Sequence, residues 1–455
     1  MQPNEACPRR LLAWVGISCL ILSFWSCRPR GQADQTRPNI IILLIDALRA
    51  DSLHDYGNPR DTNPFLAEFG RKGVRFTNAH AHSSNTLLSV ASLFSGLIPP
   101  ANGVRRAAFG PKKEKIKSDQ LALSLTTMAE VLKQRKYSTA AFVSNPHLQV
   151  FSGLSQGFQD YRYISGPKVR ARELNTALLD WLKTAPPKPL FVYVHYMDVH
   201  MPYRPPDEYR FLYSKDKIEE PISSMGFWRG PISGRRIKHT RAVYEAQINY
   251  WDDCFRALVG DMKKGGWLEN TVFIILADHG EEFYDHGGFG HTFTLYEEVL
   301  HIPLYIVYAG HLPPGQTRQD LVQIVDLFPT IGYFSGSNLS RLNLNGQNLF
   351  PAQPHEDRSG RIHYAETHPG IAPRSVETPS AKLIFNARRK SYEFYDLLQD
   401  PKEQKNIYGQ NPPLCEHLKS KLHQILSLYQ SGPKRRAKEL DQKTIELLKS
   451  LGYIK

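Results

Sequence analysis

The stretch from Thr271 to Gly310, TVFIILADHGEEFYDHGGFGHTFTLYEEVLHIPLYIVYAG, constrains the fold more than any other part of the chain. An apolar run gives way within one dipeptide to Asp278-His279-Gly280. A second apolar run, Ile302 to Val307, follows a loop carrying Glu281, Glu282, Asp285, His286 and His291. Short continuous apolar runs of this kind read as strands buried on both faces, as in a sheet covered by helices. In open α/β sheets the chemistry gathers at the carboxyl ends of the strands, so this stretch predicts a metal site at that edge. Near the other end of the chain NIIILLI, Asn39 to Ile45, terminates in the same way at Asp46. A carboxylate placed directly after a fully apolar strand costs several kcal/mol if it is buried without a partner. An N-cap or turn role is the plain alternative for Asp46 alone. Two such strands delivering Asp46 and Asp278-His279 to one edge argue instead for a shared ligand, with calcium, manganese, magnesium and zinc all suited to oxygen donors and one imidazole.

Between these runs, STAAFVS (Ser138 to Ser144) and LFVYVHY (Leu190 to Tyr196) are further strand candidates, the latter followed by Asp198 and His200. Helical patterns cover Asp61 to Gly73, Ser124 to Lys136, Ala171 to Lys183 and Tyr244 to Lys264. Alternating strands and helices predict an α/β protein with a mainly parallel sheet. Residues 203 to 241 show no period and read as a loop-rich excursion. After Asp326 to Gly336 the texture changes to short strands, a hairpin and a helix from about Pro413 to Tyr429. We therefore expect a catalytic domain over 38–345 and a small antiparallel-sheet subdomain with a covering helix over 346–455.

The beginning of the chain bears on location. Arg9 and Arg10 precede an apolar run, LLAWVGISCLILSFWS, and then Cys27. A charged segment followed by a short apolar one reads as an export leader over residues 1–27, with Cys27 as a lipidation site of bacterial lipoprotein type and an uncleaved membrane helix as the alternative. Residues 28–37 read as a tether to a membrane-anchored, exported body on the periplasmic or extracellular face. Beyond the leader only Cys254 and Cys415 remain, so no disulfide framework is expected. The formal net charge of +13 comes without aromatic interleaving or a recognition helix. It predicts attraction to anionic lipids, glycans or substrates rather than to nucleic acid.

The nucleophile candidate lies in SSNTLLSVASLFSG, Ser83 to Gly96, where apolar Leu87, Leu88, Val90, Leu93 and Phe94 alternate with small residues in a closely packed helix. Asn85 or Thr86 stands at its N-terminus, where free N–H groups and the helix dipole favour an anion. A plain N-cap is the alternative role for Thr86.

The segments RPNIIILLIDALRADSLHDYGNPRDTNPFLAEFGRKGVRFTNAHAH, YMDVHMPYRPPDEY and DHGEEFYDHGGFGHTFTLYEEVLHIPL, with DLFPTI and the closing ELDQKTIELLKSLGYI, resemble the sulfatase family within the alkaline phosphatase superfamily. The resemblance spans nearly all of the chain after the leader. It implies an alkaline-phosphatase-like α/β/α sandwich with a small C-terminal antiparallel sheet of four strands. It places Asp46, Asp278 and His279 as ligands of one divalent metal ion and Thr86 at the nucleophile position, within reach of that ion. His200 and His291 match the histidines that contact the ester oxygens or protonate the leaving alcohol. Arg49 falls in the family's D-x-L-R pattern, and His195 and His286 are either supporting donors or surface residues.

The chain also departs from the family. The usual C-x-P-x-R or S-x-P-x-R motif is replaced by Thr86, Leu88 and Val90. Oxidation of a threonine would give a ketone, so the family's aldehyde cannot form there. The second aspartate is Ala47 and the lysine after "GH" is Thr292. Thr86, Ser89, Val90, Phe94 and Ser95 resemble instead the threonine-nucleophile branch, such as lipid A phosphoethanolamine transferases and lipoteichoic acid synthases. The expected activity is metal-dependent hydrolysis of an anionic sulfate or phosphate ester through Thr86. Phosphoryl transfer, or metal-dependent anion binding without catalysis, are the alternatives.

Overall fold

A computed structural model describes residues 37–108, 115–166, 169–215, 221–222, 226–227, 232–350, 360–367, 373–410 and 412–454. The leader with Cys27, and the tether apart from Arg37, lie outside them. Among the described residues no helix is long and apolar enough to cross a membrane.

The apolar runs form the centre of a nine-stranded sheet. We number its strands β1 (Asn39–Ile45), β2 (Val74–His80), β3 (Ser138–Val143), β4 (Asp160–Tyr163), β5 (Leu190–Tyr196), β6 (Thr271–Leu276), β7 (His301–Val307) and β8 (Gln316–Arg318). In space they run β8-β2-β7-β6-β1-β5-β3-β4, with Val322–Gln323 also pairing with β2. β1 lies between β5 and β6 and is parallel to both, with every residue buried, which explains its lack of polar alternation. Leu44 of β1 pairs with His195 and with Leu276, so the strands on either side end level with it. Asp46 and Asp278 each follow two residues beyond that level, and a period of two points both to one face of the sheet.

The sheet is less parallel than the alternation of strands and helices predicts. β7 is antiparallel to both β6 and β2. The chain between β6 and β7 carries no crossover helix long enough to return it to the same end, so it comes back in the opposite direction. β2, whose buried and half-buried residues are mixed, is not evident from an apolar run.

Helices α1 (Pro64–Gly70), α2 (Thr86–Ser95), α3 (Met128–Gln134), α4 (Ala171–Lys183), α5 (Gly234–Lys264) and α6 (Leu327–Ser335) flank the sheet in two groups. α1 and α4 pack on α5, while α3 and α6 pack on α2. α5 corrects the loop reading of 203–241. It begins at Gly234, capped by Ser233, whose side chain accepts the Arg236 N–H. The run RRIKHTR forms its first turns, and its buried residues there, His239 and Thr240, are polar, so it shows no apolar stripe.

A four-stranded antiparallel sheet follows, β9 (His363–Glu366), β10 (Pro373–Thr378), β11 (Ala381–Asn386) and β12 (Ser391–Asp396), covered by α7 (Pro412–Ser431). Its core gathers Tyr364, Val376, Leu383, Phe394, Leu418 and Leu422. Arg436–Glu439 then pairs with Lys117–Gln120, and the last helix, α8 (Gln442–Ser450), lies against the 3-10 turn Pro146–Leu148.

Candidate active site

Three elements bring the ligand candidates together. Asp46 leaves the end of β1, Asp278 and His279 leave the end of β6, and Thr86 is the first residue of α2. All four are fully buried. One donor atom each from Asp46, Asp278 and His279 lies within 4.8 Å of the others. Asp46 Oδ1 and Asp278 Oδ2 have no hydrogen-bond partner. Buried carboxylate oxygens without donors are expensive, and here they converge. His279 Nδ1–H donates to the Gly280 carbonyl (2.9 Å), which leaves the Nε2 lone pair facing Asp46 and Asp278 at 3.7 and 3.5 Å. Two hard oxygens and one imidazole nitrogen, with a hydroxyl beside them, fit a divalent cation.

The helix start positions Thr86. Asn85 caps α2, its side chain accepting the Leu87 N–H at 3.2 Å, so Thr86 is the first helical residue rather than the cap. Thr86 Oγ1 lies 3.5 Å from Asp46 Oδ2 and 3.3 Å from His279 Nε2. Ser89, one turn on, donates to the Asp278 carbonyl at 2.6 Å and ties the helix to the end of β6. Gly96, at φ 66°, ends the helix in the left-handed region, and a Cβ there would meet Leu344 and Phe328 at 2.8 and 3.0 Å.

The two histidines assigned to the ester stand beside this group. The His291 ring is 4.4 Å from that of His279 and 4.9 Å from that of His200. His291 Nδ1–H donates to Glu281 Oε1 at 2.8 Å, and its Nε2 has no partner. His200 Nδ1–H donates to the Met201 carbonyl, and Nε2 accepts from the Tyr453 hydroxyl at 2.7 Å.

Burial sets the charges. It pushes His200 down to about 4 and His291 well below its ordinary value, in the latter helped by His279, so both imidazoles are neutral. Burial, followed by the Asp46 charge, raises Asp278 to about 6. Burial works against Asp46 as well, but the hydrogen bond from His195 and the nearby His279 hold its carboxyl far below the usual range.

His195 proves to be a supporting donor. It is fully buried on β5, with Nε2–H donating to Asp46 Oδ2 at 2.9 Å and Nδ1 accepting from the Tyr193 hydroxyl at 2.7 Å. Arg49 is buried and bridges Asp51, Asp285 and the Glu281 carbonyl, holding the loop after β6 in place. Asp198 lies away from the ligands and accepts the N–H of Ala171 at the start of α4 (3.0 Å). His286 turns outward to Glu298 and the Glu403 carbonyl.

Two site residues escape the sequence reading. Asn145, just past β3, donates to Asp46 Oδ2 at 2.7 Å and lies 3.4 Å from Thr86 Oγ1. Tyr453, near the end of the chain, reaches both Asn145 (3.3 Å) and His200. An Asn after a strand end was a usable signal for Asn145, since Asp46 occupies the corresponding place after β1. Nothing in the local sequence around Tyr453 points to the site.

A second cluster, His80, Glu297 and Glu377, also has the composition of a metal site. There the buried Lys382 ammonium lies 2.7 Å from Glu403, 3.6 Å from Glu377 and 3.9 Å from Glu297, so the chain supplies the cation itself.

A carboxylate-imidazole centre at the carboxyl edge of this sheet, with a hydroxyl at a helix N-terminus, defines an ester hydrolase of alkaline-phosphatase type. The sulfatase description matches residues 38–336, and the chain belongs to the sulfatase family, the sulfuric ester hydrolases of that superfamily. A second description, the C-terminal part of N-sulphoglucosamine sulphohydrolase, matches residues 284–431. The chain is 21% identical to an arylsulfatase of Clostridium perfringens, over 82% of this chain and 90% of that protein. In structure it is similar to a protein solved with its substrate D-glucosamine-2-N,6-O-disulfate (TM-score 0.70, 19% identity, covering 87% of this chain and 98% of that one). It is equally similar to the phosphonate monoester hydrolase of Agrobacterium radiobacter (TM-score 0.70, 18% identity, covering 86% and 96%).

Proposed function

We propose that the chain is a metal-dependent sulfate ester hydrolase that uses Thr86 as its nucleophile. The observation that carries this is the placement of Thr86 Oγ1 at the start of α2, within 3.5 Å of Asp46 and His279. Asp46, Asp278, His279 and Thr86 would hold one divalent ion. Such an ion, when bound, acidifies a hydroxyl and polarises an ester oxygen.

The residues then divide the work. Thr86 Oγ1 attacks sulfur, forming a threonyl sulfate as the bond to the alcohol oxygen breaks. The proton released by Thr86 passes to His291 Nε2 and on to the departing alcohol, so the step is neutral in protons. His291 suits this relay because Nε2 is unpartnered while Nδ1–H is fixed on Glu281. His195 and Asn145 hold Asp46 in orientation. Water then attacks the sulfur of the threonyl sulfate, the bond to Oγ1 breaks, hydrogen sulfate leaves and a proton from the water restores the Thr86 hydroxyl.

Phosphate or phosphonate esters are a second substrate class. The likeness to a phosphonate monoester hydrolase favours them, as do Leu88, Val90, Ala47 and Thr292, which leave the usual sulfate contacts unmade. Transfer to an acceptor alcohol would use the same threonyl ester. The export leader, the anchor at Cys27 and a domain boundary near 345 belong to the same proposal and rest on sequence.

The test is a parallel assay of aryl sulfate, phosphate monoester and phosphodiester with calcium, manganese, magnesium or zinc. We expect Thr86→Ala to lower turnover by about 10³-fold or more. A Thr86 peptide heavier by the transferred group should appear in quenched reactions. Turnover unaffected by Thr86→Ala would remove Thr86 from the mechanism.

A further inference from the structure

The proposed site is closed. Asp46, Thr86, Asp278 and His279 show no exposed surface, His291 is 1% exposed and His200 2%. No ester can reach Thr86 Oγ1 in this conformation. Tyr453 is partly buried, and its side chain covers the site where His200, His291 and Asn145 meet. Its ring lies edge-on to His147 at 4.4 Å and to His291 at 5.7 Å, and tilted over His200 at 5.2 Å. Its hydroxyl donates to His200 Nε2 and accepts from Asn145 Nδ2, which also donates to Asp46. A phenol oxygen held this way occupies ground that the alcohol of an ester would need.

The tail that delivers Tyr453 is shaped for this position. Leu440 N–H donates to the Ile116 carbonyl, Asp441 caps α8 by accepting the Thr444 N–H at 2.7 Å, and Gln149 donates to Thr444 Oγ1 at 3.1 Å. At the other end Gly452, at φ 81°, reverses the chain while its N–H and that of Tyr453 donate to Lys449 and Leu448 carbonyls. That reversal turns Tyr453 back toward the sheet edge. The holding surface is nevertheless small: within α8 only Thr444 and Leu448 are buried. A helix this short has little stability of its own and depends on docking, so it belongs to the part of a fold that opens first. The described ligands and histidines of the site lie at strand ends, at a helix start and in loops, and all are buried.

We propose that the tail Asp441–Ile454 is a self-inhibiting gate, with Tyr453 as its plug: the tail undocks to admit an anionic ester and redocks when the site is empty. This rests on the ester-cleaving reading of the site. It assigns the tail a competitive role, since substrate and Tyr453 cannot occupy the site together. A closed form holding about nine molecules in ten weakens apparent substrate binding about tenfold.

Two measurements on the full chain test the gate. Amide hydrogen exchange over residues 442–454 is followed with manganese present, with and without orthovanadate as a tetrahedral anion. Faster exchange on adding orthovanadate is expected; unchanged or slower exchange overturns the gate. The second is KM for an aryl sulfate and an aryl phosphate, where Tyr453→Ala should lower KM roughly tenfold and Tyr453→Phe, which keeps the ring and loses both hydrogen bonds, about threefold. A KM that stays constant or rises in both variants overturns the gate, because a plug that competes with substrate cannot be removed without effect. If the unaltered chain and both variants turn over no ester, the ester-cleaving reading fails. The exchange response to orthovanadate then still decides whether the tail is a gate.

Discussion

Ala47 lies at φ 60°, in the left-handed region that costs a residue with a Cβ roughly 1–2 kcal/mol. The strain is maintained from two sides. Its N–H donates to Asp278 Oδ1 at 3.3 Å, and its carbonyl accepts from the Tyr244 hydroxyl at 2.8 Å. The same hydroxyl accepts the Arg49 N–H at 2.9 Å. One buried phenol on α5 therefore holds the turn that carries Asp46 and helps to orient Asp278. We predict that Tyr244→Phe destabilises the protein by about 1–3 kcal/mol, leaving a buried N–H and a carbonyl unpaired. It should also weaken divalent metal binding, read as a smaller rise in Tm on adding manganese. Asp46, Asp278 and His279 stand out in the sequence because they follow apolar runs, and Thr86 because it opens an apolar helix. Asn145 gave a weaker signal, its place after β3 matching that of Asp46 after β1, because an amide there carries a smaller burial penalty than a carboxylate. Tyr453 was invisible for a different reason: its position depends on where the end of the chain docks, which no local pattern encodes.

At the scale of elements, the loop between β6 and β7 carries His279, Glu281 and His291 and must leave the sheet along one path. Gly280 fixes that path. Its N–H donates to the Val299 carbonyl at 2.9 Å, and a Cβ there would lie 2.1 Å from the Glu298 carbonyl oxygen. Backbone on both sides cannot yield without moving His279. We predict that Gly280→Ala lowers kcat/KM by about 100-fold or more, since misplacements of about 1 Å already cost that much. The far-ultraviolet circular dichroism spectrum should stay unchanged, because the strands on either side keep their pairing. Most of the central strands were readable from apolar runs, and α4 from its period. The antiparallel return of β7 was not, because direction follows from the length and path of the connection rather than from the composition of the strand. The start of α5 was hidden as well, since its first turns bury polar His239 and Thr240 rather than an apolar stripe.

Across the whole molecule, polar buried groups join the sheet that bears the site to the C-terminal sheet. Lys382 on β11 meets Glu297 of the loop before β7, and His286 bonds both Glu298 (2.7 Å) and the Glu403 carbonyl (3.0 Å). Burial works against a charged His286, but the hydrogen bond and charge of Glu298 outweigh it and raise the imidazole to about 9. The raised value means that the folded protein binds this proton more tightly than the unfolded chain. The stabilisation is therefore fully present below the ordinary histidine value of about 6.5 and fades as pH rises through about 9. We predict that the Tm of the unaltered protein exceeds that of His286→Gln at pH 6 and that the gap closes toward pH 10. A gap that is constant with pH would assign His286 a packing role alone. The direction of β1 has a practical consequence of another kind. Asn39 opens the strand at the amino edge of the sheet and Asp46 follows its far end, about 20 Å away for a strand of this length. A resin, a fusion partner or a surface joined ahead of Arg37 is thus fastened on the side away from Asp46. Immobilisation through that end leaves the carboxyl edge facing the medium, whereas attachment through the last residues would load the segment that bears Tyr453.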